Sequence, residues 1–236
     1  MTLSRNEFKV LYALDKDPGA SQRATAETAG VSVGTVNRLI RQFEDMGLMD
    51  CCALTAEGEA ALAPYHVDNA VIMAAGLSSR FVPLSYEKPK GLLRVRGEVL
   101  IERQIRQLRE AGIDDITVVV GYMKEAFFYL EEKFGVRIAV NPDYAKRNNN
   151  STLMLVRERL GNTYVCSSDD YFTENVFERY VYEAYYAASY FEGPTGEYCL
   201  TTARDGRITA VSVGGHDAWA MLGHVYFDRA FSREFV

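Results

Sequence analysis

The sequence predicts an α/β protein: a doubly wound, largely parallel sheet preceded by a small, mostly helical domain. Three observations carry that prediction. From residue 67 onward, short apolar runs bounded by glycine or turn residues alternate with stretches whose apolar residues recur at helical spacing, the pattern of β-α-β units. Residues 1–65 show helical spacing in three successive segments, each opened by a serine, a residue that caps helix N-termini. The first apolar run behind that front domain, Val71 to Ala75, ends in the small-residue loop Gly76-Leu77-Ser78-Ser79. Open α/β sheets take their ligands beyond the carboxyl ends of such strands.

Ser4 begins the first helix, with Phe8, Leu11, Tyr12 and Leu14 apolar, and Asp17-Pro18-Gly19 stops it. Ser21 caps a second helix through about Ala29, ended by Gly30. Ser32 caps a third, in which Val33, Val36, Leu39, Ile40 and Phe43 recur at helical spacing before Gly47. Leu48 to Leu54 reads as one short strand, and Thr55 to Gly58 as a turn into Glu59-Ala60-Ala61-Leu62. Helix, turn, helix and wing together make residues 1–65 similar to a winged helix-turn-helix domain, and GVSVGTVNRLIRQFEDMGLM resembles the recognition-helix region of that family. Such a helix would present Ser32, Thr35, Asn37, Arg38 and Arg41 to a major groove. Residues 1–64, however, hold six Lys and Arg against nine Asp and Glu, a balance of −3, where phosphate contacts supply much of the affinity for DNA. DNA is thus a partner that the helix permits and the charge disfavours. Packing, dimerisation (a homodimer) or regulation of the domain behind it is the competing use.

In the second domain, residues 67–236, the glycine loop lets backbone N–H groups approach an anion with no Cβ in the way. Arg80 follows at once, and Lys90 stands fourteen residues after Gly76, in Lys88-Pro89-Lys90. Concave backbone donors with one arginine and one lysine suit a triphosphate. The run resembles the signature AAGxxxR…PK of the nucleotidyltransferases that couple a nucleoside triphosphate to a phosphorylated small molecule. The resemblance implies a nucleotide-binding set of Ala74, Ala75, Gly76, Ser78, Ser79, Arg80 and Lys90, with Arg80 and Lys90 as the catalytic cations.

Along the rest of the chain, Leu92 to Val95 reads as a short strand, Leu100 to Gly112 as a helix and Asp115 to Val120 as a buried strand. Lys124 to Lys133 reads as a helix stopped by Gly135, Val136 to Val140 as a strand, and Ser151 to about Arg159 as a helix. Tyr164 to Ser167 is the next strand, closed by Asp169-Asp170. A carboxylate at a strand end facing a triphosphate suits Mg²⁺, which takes one or two carboxylates plus phosphate oxygens. The match to the superfamily puts that metal on Asp169, while Asp170 fits better as a cap for the segment from Tyr171. Thr201 to Val213 reads as a strand pair around a type I′ turn at Asp205-Gly206, Ala218 to Phe227 as another strand, and Phe231 to Val236 as helical.

The stretch NPDYAKRNNNSTLML, with VVVGYMKEAFFYL and YVCSSDDYF, resembles bacterial CTP:phosphocholine cytidylyltransferases of the choline-incorporation type. The resemblance spans about residues 68 to 236. It implies a Mg²⁺-dependent transfer of CMP from CTP to phosphocholine, with Asn149 and Asn150 at the nucleotide and Ser151 as the cap of the helix behind them. Relatives continue past Val236, so a domain truncated at its C-terminus is expected. A trimethylammonium group needs aromatic faces, and Tyr171, Trp219 and Tyr226 are the candidates. The alternatives are another acceptor (aminoethylphosphonate or a sugar phosphate) or a winged-helix regulator whose α/β domain only senses a ligand.

The net charge of −6 argues against bulk-charge coating of nucleic acid or anionic membrane. Cys51, Cys52, Cys166 and Cys199 show no metal-ligand spacing, which fits reduced thiols. No apolar run approaches the ~18 residues of a membrane span, and the N-terminus lacks a signal-peptide core, so a cytoplasmic protein without a membrane partner is expected. His66, His216 and His224 are isolated and read as structural. The chemistry needs no base, since a phosphomonoester with a second pKa of about 6 is already mostly a dianion.

Overall fold

The computed structural model describes residues 2–51, 53–77, 82–146 and 149–236, without the side chains of Asn149 and Asn150. The chain divides into two units, Met1–His66 with Tyr180–Tyr182, and Val67–Arg179 with Glu183–Val236.

In the first unit the serines cap the helices expected of them. Helix α1 (Arg5–Lys16) opens with a capping box between Ser4 and Glu7, α2 (Gln22–Ala29) is capped by Ser21, and α3 (Val33–Asp45) by Ser32. Each cap satisfies an amide that the first turn leaves without a partner. The apolar stripes meet in a core of Phe8, Leu11, Val36, Leu39, Phe43 and Leu62. The stretch expected as one strand is instead a minimal hairpin, β1 (Met49–Asp50) against β2 (Ala53–Leu54), reversing at Cys51 with φ +46°. Glu59 to Leu62 belongs to a longer helix, α4 (Ala56–Leu62), capped by Thr55. The core is completed from far along the chain: Tyr182 stacks on Tyr65 with ring centroids 5.5 Å apart, its hydroxyl donates to Leu3 O at 3.2 Å, and Tyr180 meets Tyr12 edge-on.

The second unit is built on a six-stranded sheet of order β7-β6-β3-β8-β10-β9. Strands β3 (Asn69–Ala74), β6 (Ile116–Val120), β7 (Arg137–Val140) and β8 (Thr163–Ser167) run parallel. β4 (Arg94–Val95) and β5 (Glu98–Val99) form a separate small hairpin. β9 (Tyr185–Thr202) and β10 (Ile208–Phe227) make one long hairpin, with β10 antiparallel to β8. The strand pair expected within 201–213 and the further strand expected at 218–227 are therefore parts of this larger ribbon. Its tip is not type I′: only Gly206 has positive φ, +86°, Gly206 N–H donates to Ala203 O, and Ala203 N–H to Arg207 O. That is a type I turn followed by a left-handed glycine bulge. The helices are α5 (Leu84–Glu87), α6 (Leu100–Glu110), α7 (Tyr129–Phe134), α8 (Asn149–Leu155) and α9 (Arg229–Phe235). α8 begins two residues before Ser151, which therefore lies inside the helix rather than capping it.

The chain runs from β3 out to β6 and β7, then returns to β8 on the other side of β3. The crevice between the ends of β3 and β8 is thus the topological switch point, where sheets of this kind bind ligands.

Candidate active site

A cleft of about 270 Å³ opens at that switch point, lined by Ala74, Ala75, Gly76, Lys90, Gly91, Phe127, Thr152, Ser168 and Asp169 among others. It joins the end of β3, a short turn of 3₁₀ helix at Lys90–Leu92, the start of α8 and the end of β8. Of the residues expected from sequence, it brings together Ala74, Ala75, Gly76, Lys90 and Asp169. Lys90 Nζ donates to Asp169 Oδ2 at 3.2 Å, with the lysine side chain 18% exposed and the carboxylate 37% exposed. Arg80, Ser78 and Ser79 lie outside the described residues. Asn149 and Asn150 open α8, three and two positions ahead of the cleft residue Thr152, and their side chains are outside the description.

Close approach fixes the cleft walls. A Cβ on Gly91 would stand 2.8 Å from Ser168 Cβ and 2.9 Å from Ser168 Oγ, so only glycine lets the Lys90 turn meet the end of β8. Buried Asn141 ties the loop before α8 to the helix through a 3.0 Å bond from Nδ2 to Thr152 Oγ1.

Asp170, next to Asp169 in the chain, is the more buried of the two. Its Oδ2 is buried without a hydrogen-bond partner, close to where a Gly223 Cβ would lie. Burial, and then the charge of Asp169, pushes its carboxyl up to about 7. It does not cap a helix, because residues 171–184 contain none.

The aromatic candidates do not gather at the cleft. Tyr226 has no exposed surface and packs between Tyr164 and Tyr185 in the core, so the expectation that it holds a substrate head group is corrected: no ring face is available. Trp219 is 51% exposed on the hairpin beside Tyr190. Tyr171 has the guanidinium of Arg103 5.0 Å from its ring centroid. None of the three lines the cleft. His224 is buried among Tyr164, Phe172, Phe177 and Tyr185, its Nε2 2.8 Å from Tyr185 Oη, and burial pushes it down to about 4.

Sequence reasoning missed the residues that hold the end of β8 in place. From α6, Gln104 Nε2 donates to Ser167 O and Asp170 O, Arg103 to Phe172 O and Thr173 O, and Gln107 to Glu174 O. The one available signal was two glutamines on the apolar side of an amphipathic helix.

Gly76 and the Lys90–Asp169 pair share a cleft at the switch point of a largely parallel sheet, the fold and ligand position of a nucleotidyltransferase. The comparisons agree. The MobA-like NTP transferase domain family matches residues 70–217, and the winged helix-turn-helix DNA-binding family matches residues 3–48. The chain belongs to the MobA-like NTP transferase family and carries an N-terminal winged helix-turn-helix domain. It is 38% identical over 168 residues to the choline-phosphate cytidylyltransferase of Streptococcus pneumoniae, covering 71% of this chain and 73% of that protein. It is 39% identical over 163 residues to the 2-aminoethylphosphonate cytidylyltransferase of Lancefieldella rimae, covering 67% and 66%. The solved structure of the S. pneumoniae CTP:phosphocholine cytidylyltransferase superposes with a TM-score of 0.67 at 40% identity, covering 70% of this chain and 73% of that one.

Proposed function

We propose that this nucleotidyltransferase moves CMP from CTP to phosphocholine, forming CDP-choline and pyrophosphate. The observation that carries the reading is the Lys90–Asp169 pair, 3.2 Å apart, in one cleft with Gly76 at the sheet's switch point. The likeness to the S. pneumoniae enzyme supports the choice of substrates. A phosphate oxygen of phosphocholine forms a bond to the α-phosphorus of CTP while the bond from that phosphorus to the bridging oxygen of the β-phosphate breaks. The electron pair leaves with pyrophosphate. The attacking phosphate is mostly a dianion at neutral pH, so positioning and charge neutralisation suffice.

Each group then has a stated task. Lys90 places an ammonium against the polyphosphate, and the backbone at Ala74, Ala75 and Gly76 offers the wall it lies on. Ser78, Ser79 and Arg80 would continue that wall, and Asn149 and Asn150 would reach the nucleotide from α8. Tyr171 and Trp219 are the remaining aromatic candidates for the choline head group.

Asp169 fits Mg²⁺: it is a hard oxygen donor at the end of β8, lining the cleft and partly open to it. Among the described residues no three His, Cys, Asp or Glu side chains form a metal group. When bound, such an ion neutralises charge on phosphate oxygens.

The winged-helix unit is proposed to regulate the transferase or to form a homodimer rather than to hold DNA. Its acidic balance supports this. Among the described residues no helix is long and apolar enough to cross a membrane, and we place the enzyme in the cytoplasm.

Pyrophosphate release from CTP with phosphocholine, 2-aminoethylphosphonate and a sugar phosphate tests the reading. Phosphocholine is expected to give the highest kcat/KM. A preference for 2-aminoethylphosphonate would favour the second relative's activity, and no release with any acceptor would overturn the proposal.

A further inference from the structure

The backbone that carries Asp169 leaves its sheet one residue earlier. The last contact to β3 is Ser168 N–H donating to Met73 O at 3.2 Å. Past that point the support comes from α6. Gln104 is 1% exposed and lies on the buried side of α6 with Ile101, Ile105 and Leu108, one helical turn from Ile101 and from Leu108. Its amide nitrogen donates to Ser167 O at 2.7 Å and to Asp170 O at 2.8 Å. Those carbonyls bracket the Ser168-Asp169 pair.

The two acceptors fix which way the amide points, because turned over it would set its oxygen against two carbonyl oxygens. Gln104 Oε1 is buried with no partner. An acceptor left dry is a standing cost, here at a residue that spends both donors on one turn. Gln107 and Arg103 support carbonyls farther along, at 172, 173 and 174. Among these three side chains only Gln104 holds both sides of Asp169.

We propose that Gln104 is the positioning residue for Asp169, fixing where the carboxylate stands relative to Lys90 and so setting the affinity of the cleft for the divalent-cation complex of the nucleotide. The inference rests on the metal role proposed for Asp169. Gln104→Met keeps the bulk and removes the donors.

The test is Mn²⁺ binding in the presence of CTP, followed by electron paramagnetic resonance, with Mg²⁺ dependence of pyrophosphate release alongside. Gln104→Met is expected to bind Mn²⁺ about tenfold more weakly, to need about tenfold more Mg²⁺ for half-maximal rate, and to keep KM for phosphocholine within about twofold. Gln107→Met, which removes donors from the same helix outside the cleft, is expected to lower the melting temperature similarly and leave Mn²⁺ affinity within about twofold. If Gln104→Met does not fold, Gln104→Asn keeps the amide on a shorter stem that reaches one carbonyl at most, and an intermediate loss of affinity is expected. Wild-type Mn²⁺ affinity in the folded Gln104 variant, or an equal loss in Gln107→Met, overturns the proposal. Asp169→Asn separates the two readings. If it leaves Mn²⁺ binding intact, the metal role itself fails. If it abolishes binding while the Gln104 variant does not weaken it, only the positioning role fails.

Discussion

Replacing Gly91 by alanine puts one methyl group where the cleft walls meet. The added carbon would stand 2.8 Å from Ser168 Cβ, 2.9 Å from its Oγ and 3.2 Å from its carbonyl oxygen, while carbons rest at about 3.5–4.0 Å. Ser168 Cβ is not the far end of a flexible side chain, so backbone must yield by roughly 1 Å, at the Lys90–Leu92 turn or at the end of β8. Overpacking of this kind costs about 1–3 kcal/mol, which for a chain of this size lowers Tm by roughly 2–10 °C. The same shift parts Lys90 from Asp169, one on each wall. Misplacement by about 1 Å costs up to ~100-fold in rate, so kcat/KM for pyrophosphate release is expected to fall about 10- to 100-fold. Gly196→Ala, where a Cβ meets nothing within 4 Å, serves as the control and is expected to behave as wild type. A Gly91→Ala protein with unchanged Tm and unchanged kcat/KM would refute the reasoning, because it would show that the two walls do not need this contact.

Lys90→Met is expected to lower kcat/KM by about 10²–10³ through loss of a charge aimed at the polyphosphate, while Tm barely moves, since its half-open ion pair is worth under about 1 kcal/mol; a large Tm loss with an intact rate would oppose this. Asp170 holds its proton in the folded chain up to about 7, against an ordinary 3.8, so the folded state binds more protons across that window and stability falls as pH rises through it. In metal-free protein, urea unfolding at pH 5 and pH 8.5 should show Asp170→Asn escaping a loss on the order of 2–4 kcal/mol that wild type suffers; equal pH dependence in the two would count against the burial of this carboxyl. Tyr182→Ala removes a ring stacked on Tyr65 and tilted against Phe8, and the bond to Leu3 O, which should destabilise the first unit by about 3–5 kcal/mol. Hydrogen exchange in α1 reads that loss, and unchanged protection there would contradict it.

Three of the four parallel strands could be read from sequence because they are almost wholly buried: 71–74, 116–120 and 163–167 are short runs with no exposed face to confuse them. The caps of α1 to α3 were equally legible, since each rests on a single serine next to an apolar stripe. β9 was not. Its eighteen residues are largely exposed, broken by Gly193-Pro194 and Gly196, and show no clean alternation. Tyr226 misled for a related reason. Residues 224–227 are buried on both faces of β10, so neither alternation nor composition tells a core aromatic from a ligand-facing one. Tyr180–Tyr182 joins the first unit across more than a hundred residues of chain, a contact that no local pattern announces. In the site, Lys90 and Asp169 were legible because each ends a recognisable motif. Gln104 was visible only as a polar residue in an apolar stripe, and its purpose appears once the two carbonyls it meets are known.

A crystal structure of the full chain with CTP and Mg²⁺ tests most directly whether this cleft is where the nucleotide is held. The polyphosphate is expected against the backbone at Gly76 and within reach of Lys90 Nζ, with the ion on Asp169. Nucleotide bound elsewhere on the chain, with Lys90 and Asp169 still paired at 3.2 Å, would contradict the account.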